Sequence, residues 1–239
     1  MFTMELSAET IEQNLREVRE KVAEACRKSG RNPEDVKVLA VSKTKPVEDI
    51  RAAMSIGQHA FGENYVQEIQ KKYEVLGDQV EWHMIGHLQR NKVKYIIDKV
   101  KLIHSVDTVE LAEQIEKEAA KHGVNMDVLL EVNIAREETK WGFTAEAAPE
   151  AAKVIGAMPH IQVRGLMTSA PITEDAETNR VHFRNLRLLS EQIGAMGYPG
   201  VRMDTLSMGM TADYPVAVEE GATIVRVGTA IFGERNYQK

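Results

Sequence analysis

A single cysteine, Cys26, occurs in 239 residues, which excludes an internal disulfide and a cysteine-built metal cluster and fits a reducing compartment. An excess of positive charge is also missing. The chain carries 30 basic against 36 acidic side chains, a net charge of -6 and an isoelectric point near 5.7. No broad positive field attracts a phosphate backbone, so no nucleic-acid partner is expected. From Met1 to Ser7 no basic start leads into an apolar run, and no apolar stretch is long enough to cross a bilayer. The expectation is a cytoplasmic protein without a membrane partner. Low-complexity segments, an interdomain linker and long repeats are lacking too, so residues 1–239 read as one domain, with 43% hydrophobic content to build its core.

What the chain contains instead is an alternation of short apolar runs and helical spacing. Ile11, Leu15, Val18, Val22 and Cys26 follow the 3.6-residue period of an amphipathic helix, with Ser7 to cap it and Gly30 to stop it. Strand-like runs follow at 36–42, 59–62, 81–85, 102–105, 127–133, 162–167, 205–207 and 224–228. Helical spacing separates them, after Pro46 and then over 65–76, 93–100, 109–122, 145–158, 178–196 and 212–219. Asp107 with Glu110 resembles a capping box for the helix at 109–122. The alternation predicts a closed parallel (β/α)8 barrel of the TIM type, preceded by an extra helix. An open doubly wound sheet competes, but it expects a glycine-rich turn after the first strand, where this chain has Ser42-Lys43-Thr44-Lys45.

In such a barrel the strand C-termini converge on one mouth, so the residues that end each strand become neighbours. Lys43 follows an apolar run directly, which places its amine in the mouth, where desolvation favours the neutral form that attacks aldehydes. Snorkelling to solvent is the competing reading for that side chain. Lys45 shares its strand parity, so alternation alone does not choose between the two, although Pro46 puts Lys45 outside the regular strand. Ser207 and Gly209 follow the seventh strand, Gly228 and Thr229 the eighth, the two loops where barrels build phosphate sites. Arg226 interrupts the apolar run 223–227, which demands either an anionic ligand or a structural carboxylate. His83 and His87 are four apart but straddle a strand end, and no His-Glu-x-x-His pattern occurs, so no metal is expected. Met167, Met208 and Met210 can contact a flat ring or fill the core.

These residues carry a resemblance that covers essentially the whole chain. The blocks Ala40-Val41-Ser42-Lys43-Thr44-Lys45-Pro46, Phe61-Gly62-Glu63-Asn64-Tyr65, Trp82 to Gln89, Gly165-Leu166-Met167, Ser207-Met208-Gly209-Met210 and Arg226 to Gly233 resemble the pyridoxal phosphate homeostasis protein family, relatives of the alanine racemase barrel domain. The resemblance implies a fold type III barrel without the racemase's C-terminal β domain. It implies pyridoxal 5′-phosphate (PLP) as cofactor, held as a Schiff base on Lys43. Arg226 then faces the pyridine nitrogen, Ser207, Gly228 and Thr229 hold the phosphate with Gly209 in the same loop cluster, and Asn64 and Met167 flank the ring. Arg90, Thr211 and Glu131 depart from the family pattern outside this constellation.

Two function classes use the same linkage. The resemblance implies a non-enzymatic PLP carrier that influences supply of the cofactor to PLP-dependent enzymes. The alternative is an amino-acid racemase, which needs a second acid/base on the opposite face of its substrate. In the related racemases an additional C-terminal domain of a partner subunit supplies that group, whereas only Glu234 to Lys239 follow Gly233; a carrier and a monomer are therefore expected. A third reading is a cofactor-free Schiff-base aldolase using Lys43.

Overall fold

In the computed structural model, which describes residues 6–234, the first amphipathic segment forms helix α1 (Ala8–Ser29). The Ser7 hydroxyl accepts the Thr10 N–H, and Gly30 ends the helix in the left-handed conformation at φ 69°. The expected domain, 1–239, also includes residues 1–5 and 235–239, which lie outside the described residues. Its buried face, Ile11, Leu15, Val18, Val22, Ala25 and Cys26, packs against α2 (Val47–Met54), α7 (Tyr214–Glu219) and α8 (Thr229–Phe232). The extra helix thus covers the first and last crossovers of the sheet.

Eight strands form the sheet: β1 (Lys37–Val41), β2 (Ala60–Glu63), β3 (Glu81–Met84), β4 (Leu102–Val106), β5 (Met126–Glu131), β6 (Ile161–Met167), β7 (Val201–Ser207) and β8 (Ile224–Val227). Each pairs in parallel with the next, and β8 closes onto β1 through Lys37 to Ala40 against Ile224 to Val227. The remaining helices are α3 (Val66–Leu76), α4 (Val109–His122), α5 (Ala148–Gly156) and α6 (Arg180–Ala195). Strand parity sorts the core into two parts. Phe61, Trp82, Met84, Ile103, Val128, Leu130 and Val225 pack outward with the helices, whereas Leu39, Leu102, Leu129, Met167 and Ile224 form a separate cluster within the barrel.

Three local expectations are corrected. The segment read as a helix at 93–100 is a 3-10 turn, Arg90–Tyr95, in which the Ile96 N–H bonds the Val93 carbonyl. Val93 and Ile96 are its buried anchors, and their three-residue spacing matches the 3-10 repeat rather than 3.6. The cap of α4 is Thr108, whose hydroxyl accepts the Leu111 N–H; Asp107 is drawn off instead to His87 Nδ1 at 3.0 Å. The seventh strand starts at Val201 rather than 205, because exposed Arg202 and Asp204 interrupt the apolar pattern where the strand meets solvent.

Candidate functional site

The chain leaves β1 through a tight turn in which the Lys45 N–H bonds the Ser42 carbonyl at 3.0 Å. Thr44 sits in this turn at φ 64°, a left-handed conformation costly for a β-branched residue. A buried network holds it there. Lys72, on the inward face of α3, donates to the Ser42 carbonyl at 2.8 Å, Glu63 Oε1 at 2.7 Å and Glu68 Oε2 at 2.9 Å. Glu68 Oε2 in turn accepts the Thr44 N–H at 2.7 Å, and the Ser42 hydroxyl donates to Glu63 Oε1 at 2.6 Å. Burial pushes the Glu63 carboxyl up to about 7 against the lowering by Lys72 and Ser42. The turn that carries Lys43 is thereby fixed from below.

Lys43 borders a cavity of about 310 Å³ at the strand C-termini, within the range of small-molecule sites. Asn64, Arg226, Gly228 and Thr229 share its wall, as do Lys45, Ser169, Met210 and Thr211. Asn64 gains its place through Gly86, where a Cβ would lie 2.4 Å from the Asn64 carbonyl oxygen. Lys45 Nζ donates to the carbonyls of Phe232 at 2.6 Å and Glu234 at 3.0 Å, so the second lysine is tied to the end of the barrel. The wall carries three basic side chains and, among the described residues, no Asp, Glu or His. In a chain of net charge -6, that is a local inversion of sign.

Arg226 is buried, and its guanidinium is seated by oxygens rather than by a carboxylate. Nη1 donates to the Ser207 carbonyl at 2.9 Å and hydroxyl at 2.8 Å, and Nη2 to the Thr168 carbonyl at 2.8 Å and Ser169 Oγ at 3.4 Å. Nε makes no hydrogen bond among the described residues. Burial lowers the guanidinium to about 10, with Glu131 and Asp213 opposing.

Three expected site residues do not border the cavity. Ser207 is fully buried, its hydroxyl engaged by Arg226 and by His104 Nδ1 at 2.9 Å. Met167 belongs to the apolar cluster within the barrel. Gly209 shapes the loop behind the wall: at φ 92°, a Cβ there would come within 2.6 Å of the Ala217 Cβ. Conversely Thr211, read as a departure outside the constellation, lies on the wall.

Glu131, the other departure, is held by burial and by Asp107 up to about 7, with Arg226 and Lys140 opposing. Its carboxyl ionises near its ordinary 4.5 in the unfolded chain, so between pH 4.5 and about 7 the folded state retains the extra proton and stability falls as pH rises. Replacing Glu131 with glutamine is expected to flatten this slope and to raise stability above pH 7 by about 2 kcal/mol. Urea denaturation across that range measures it; an unchanged slope would contradict the assignment.

Reasoning from sequence missed Lys72, Glu63 and His104. Two of them left a signal: Lys72 falls on the apolar face of α3 with Val66, Ile69 and Leu76, and His104 interrupts the buried strand β4 much as Arg226 interrupts β8. His87 stacks on Trp141 at 4.0 Å, and the described residues hold no group of three or more side chains able to bind a metal. Nor is any described helix long and apolar enough to cross a membrane.

Comparison with known proteins places the barrel among relatives. Residues 6–236 match the family model of the alanine racemase N-terminal domain. The pyridoxal phosphate homeostasis protein of Aquifex aeolicus is 47% identical over 94% of this chain and 98% of its own, and that of Haemophilus influenzae is 41% identical over 95% and 97%. Among solved structures, PipY of Synechococcus elongatus with PLP bound superposes with a TM-score of 0.78 at 34% identity, over 89% of this chain and all of its own. A protein of unknown function from Bifidobacterium adolescentis reaches 0.91 at 37% identity, over 96% and 98%. Alanine racemase of Clostridium difficile, at 14% identity and a TM-score of 0.76 over 100% of this chain and 61% of its own, shares the fold. The chain belongs to the pyridoxal phosphate homeostasis protein family, built on the alanine racemase barrel.

Proposed function

We propose that this barrel, acting as one domain, binds PLP as a Schiff base on Lys43 and serves PLP homeostasis as a carrier without substrate turnover. The observation that carries the reading is the cavity wall, where Lys43 on its braced turn is joined by two further basic groups, Lys45 and Arg226, and among the described residues by no acidic one. A dianionic phosphate suits that charge, and the glycine and hydroxyl of Gly228 and Thr229 give it a place to approach backbone. When bound, PLP supplies an aldehyde that condenses with the Lys43 amine, releasing one water, and a conjugated ring that can delocalise electrons. Arg226, buried and on the cavity wall, supports the place opposite the ring nitrogen; a guanidinium there opposes protonation of the ring and weakens it as an electron sink. Ser207 supports that role by holding Arg226 rather than by touching phosphate.

The carrier reading is favoured over a racemase because the described wall offers no Asp, Glu, His or Tyr as the second acid/base, and Lys45 is engaged by two carbonyls. A cytoplasmic monomer that supplies PLP-dependent enzymes completes the reading. Titrating the protein with PLP, reducing with borohydride and sequencing peptides by mass spectrometry should place the modification on Lys43. Incubation with single amino-acid enantiomers should leave optical purity unchanged; rapid racemisation would favour the enzyme instead.

A further inference from the structure

We propose that Ser207, His104 and His83 form a directed hydrogen-bond relay that orients the Arg226 guanidinium and couples it to the Glu81 carboxylate at the opposite end of the barrel. The two histidines are then positioning residues for the group that Arg226 faces. The relay deepens the PLP reading and rests on it only in taking Arg226 to face the cofactor ring.

The links are continuous. Arg226 Nη1 lies 2.8 Å from Ser207 Oγ, which lies 2.9 Å from His104 Nδ1. His104 Nε2 is 2.8 Å from His83 Nδ1, and His83 Nε2 is 2.8 Å from Glu81 Oε1. Glu81 Oε1 also accepts from Lys37 Nζ at 2.5 Å, at the end of the barrel where both side chains meet solvent. His83 is 1% exposed and His104 not at all, so the chain runs through the barrel interior beside the apolar cluster of Leu39, Leu129 and Met167.

The two ends dictate where each proton sits. Glu81 is an ionised acceptor, its carboxyl held down to about 2 by His83 and Lys37, so His83 must carry its proton on Nε2. Burial lowers the pKa of both imidazoles, against the raising of His83 by Glu81, and His83 and Arg226 lower that of His104 further, so burial favours the neutral form of each. A neutral His83 then accepts on Nδ1 from His104 Nε2–H, which leaves His104 Nδ1 bare to accept the Ser207 hydroxyl proton. Ser207 therefore turns its lone pairs to Arg226, which can only donate.

Electrostatics gives the relay its use. Arg226 forms no ion pair among the described residues, and a buried cation without a contacting carboxylate needs compensation. Polarised hydrogen bonds carry part of the Glu81 charge toward it, in an interior where each bond strengthens the next. Pure core filling would need neither a fixed tautomer nor a carboxylate at the far end.

The test has two readouts on the full-length protein. Nitrogen-15 spectra of labelled histidine, without PLP, should show His83 and His104 as neutral Nε2–H tautomers at neutral pH. His104 protonated on Nδ1, or His83 cationic, would overturn the relay. With PLP bound, Glu81→Gln and His104→Phe should shift the absorption maximum in the same direction as Arg226→Gln and weaken binding about tenfold, an effect of the size seen for groups behind a ligand-binding side chain. Lys37→Gln, which removes the other partner of Glu81, should leave the maximum in place. An unshifted maximum in Glu81→Gln, whose change lies at the solvent end and spares the core, also overturns it. Failure of wild-type protein to form any lysine linkage would sink the PLP reading while leaving the tautomer result to judge the relay.

Discussion

Alanine in place of Lys43 is expected to abolish the visible absorbance that the protein acquires with PLP, and borohydride is then expected to leave no modified lysine. Lys45→Ala should keep both signals. The two lysines share strand parity, and the difference lies in their surroundings. Lys43 stands at the corner of a turn clamped by Lys72 and Glu68 and faces the cavity. Lys45 lies beyond that corner, its Nζ tied to the Phe232 and Glu234 carbonyls at the end of the barrel. Gly228 and Thr229, proposed above to hold the phosphate, are untouched in Lys43→Ala, so weak, colourless binding measured by calorimetry is compatible with the assignment. A full-strength absorbance in that variant would move the linkage to Lys45.

What could be read in advance from the residues is the part that depends on period and parity. Ile11 to Cys26 declared α1, alternation declared the barrel, and Arg226 declared itself by breaking an apolar strand. The less legible part depends on which strands become neighbours. Ser207 looks like a loop-end phosphate ligand until barrel closure places it between Arg226 and His104, 103 positions away in sequence. Likewise Glu63 and Lys72 read as an ordinary strand-end acid and a helix lysine until α3 folds back over β2 and buries both. The cap of α4 failed differently: Asp107 and Thr108 both suit a cap, and the choice was made by His87, a residue from another loop that takes Asp107. Local rules thus locate polar residues in costly places, whereas the partners that make them tolerable come from tertiary contact.

Lys72 is such a residue, and its loss should be the most destabilising single change at the site. In Lys72→Met the Glu63 carboxylate stays fully buried while its cation is gone, a break in a buried pair that costs about 3–5 kcal/mol. Oε2 of Glu63 is already buried without a hydrogen-bond partner among the described residues, so no donor to the second oxygen offsets the loss. The cost should depend on pH with a definite sign. Glu63 is raised to about 7 even with Lys72 present, and removing the cation raises it further. Its stabilising protonation is present below its ordinary 4.5 and is lost as pH rises through the raised value. The variant should therefore be hurt least near pH 5 and most at pH 8, as followed by denaturant unfolding. Lys72→Met combined with Glu63→Gln should recover much of the stability, because the buried charge goes with its partner. It should not recover the PLP linkage, since Lys72 then no longer clamps the Ser42 carbonyl, and Glu68 alone must hold Thr44 at φ 64°. A double variant that regains both stability and linkage would show that the turn carries Lys43 without this brace.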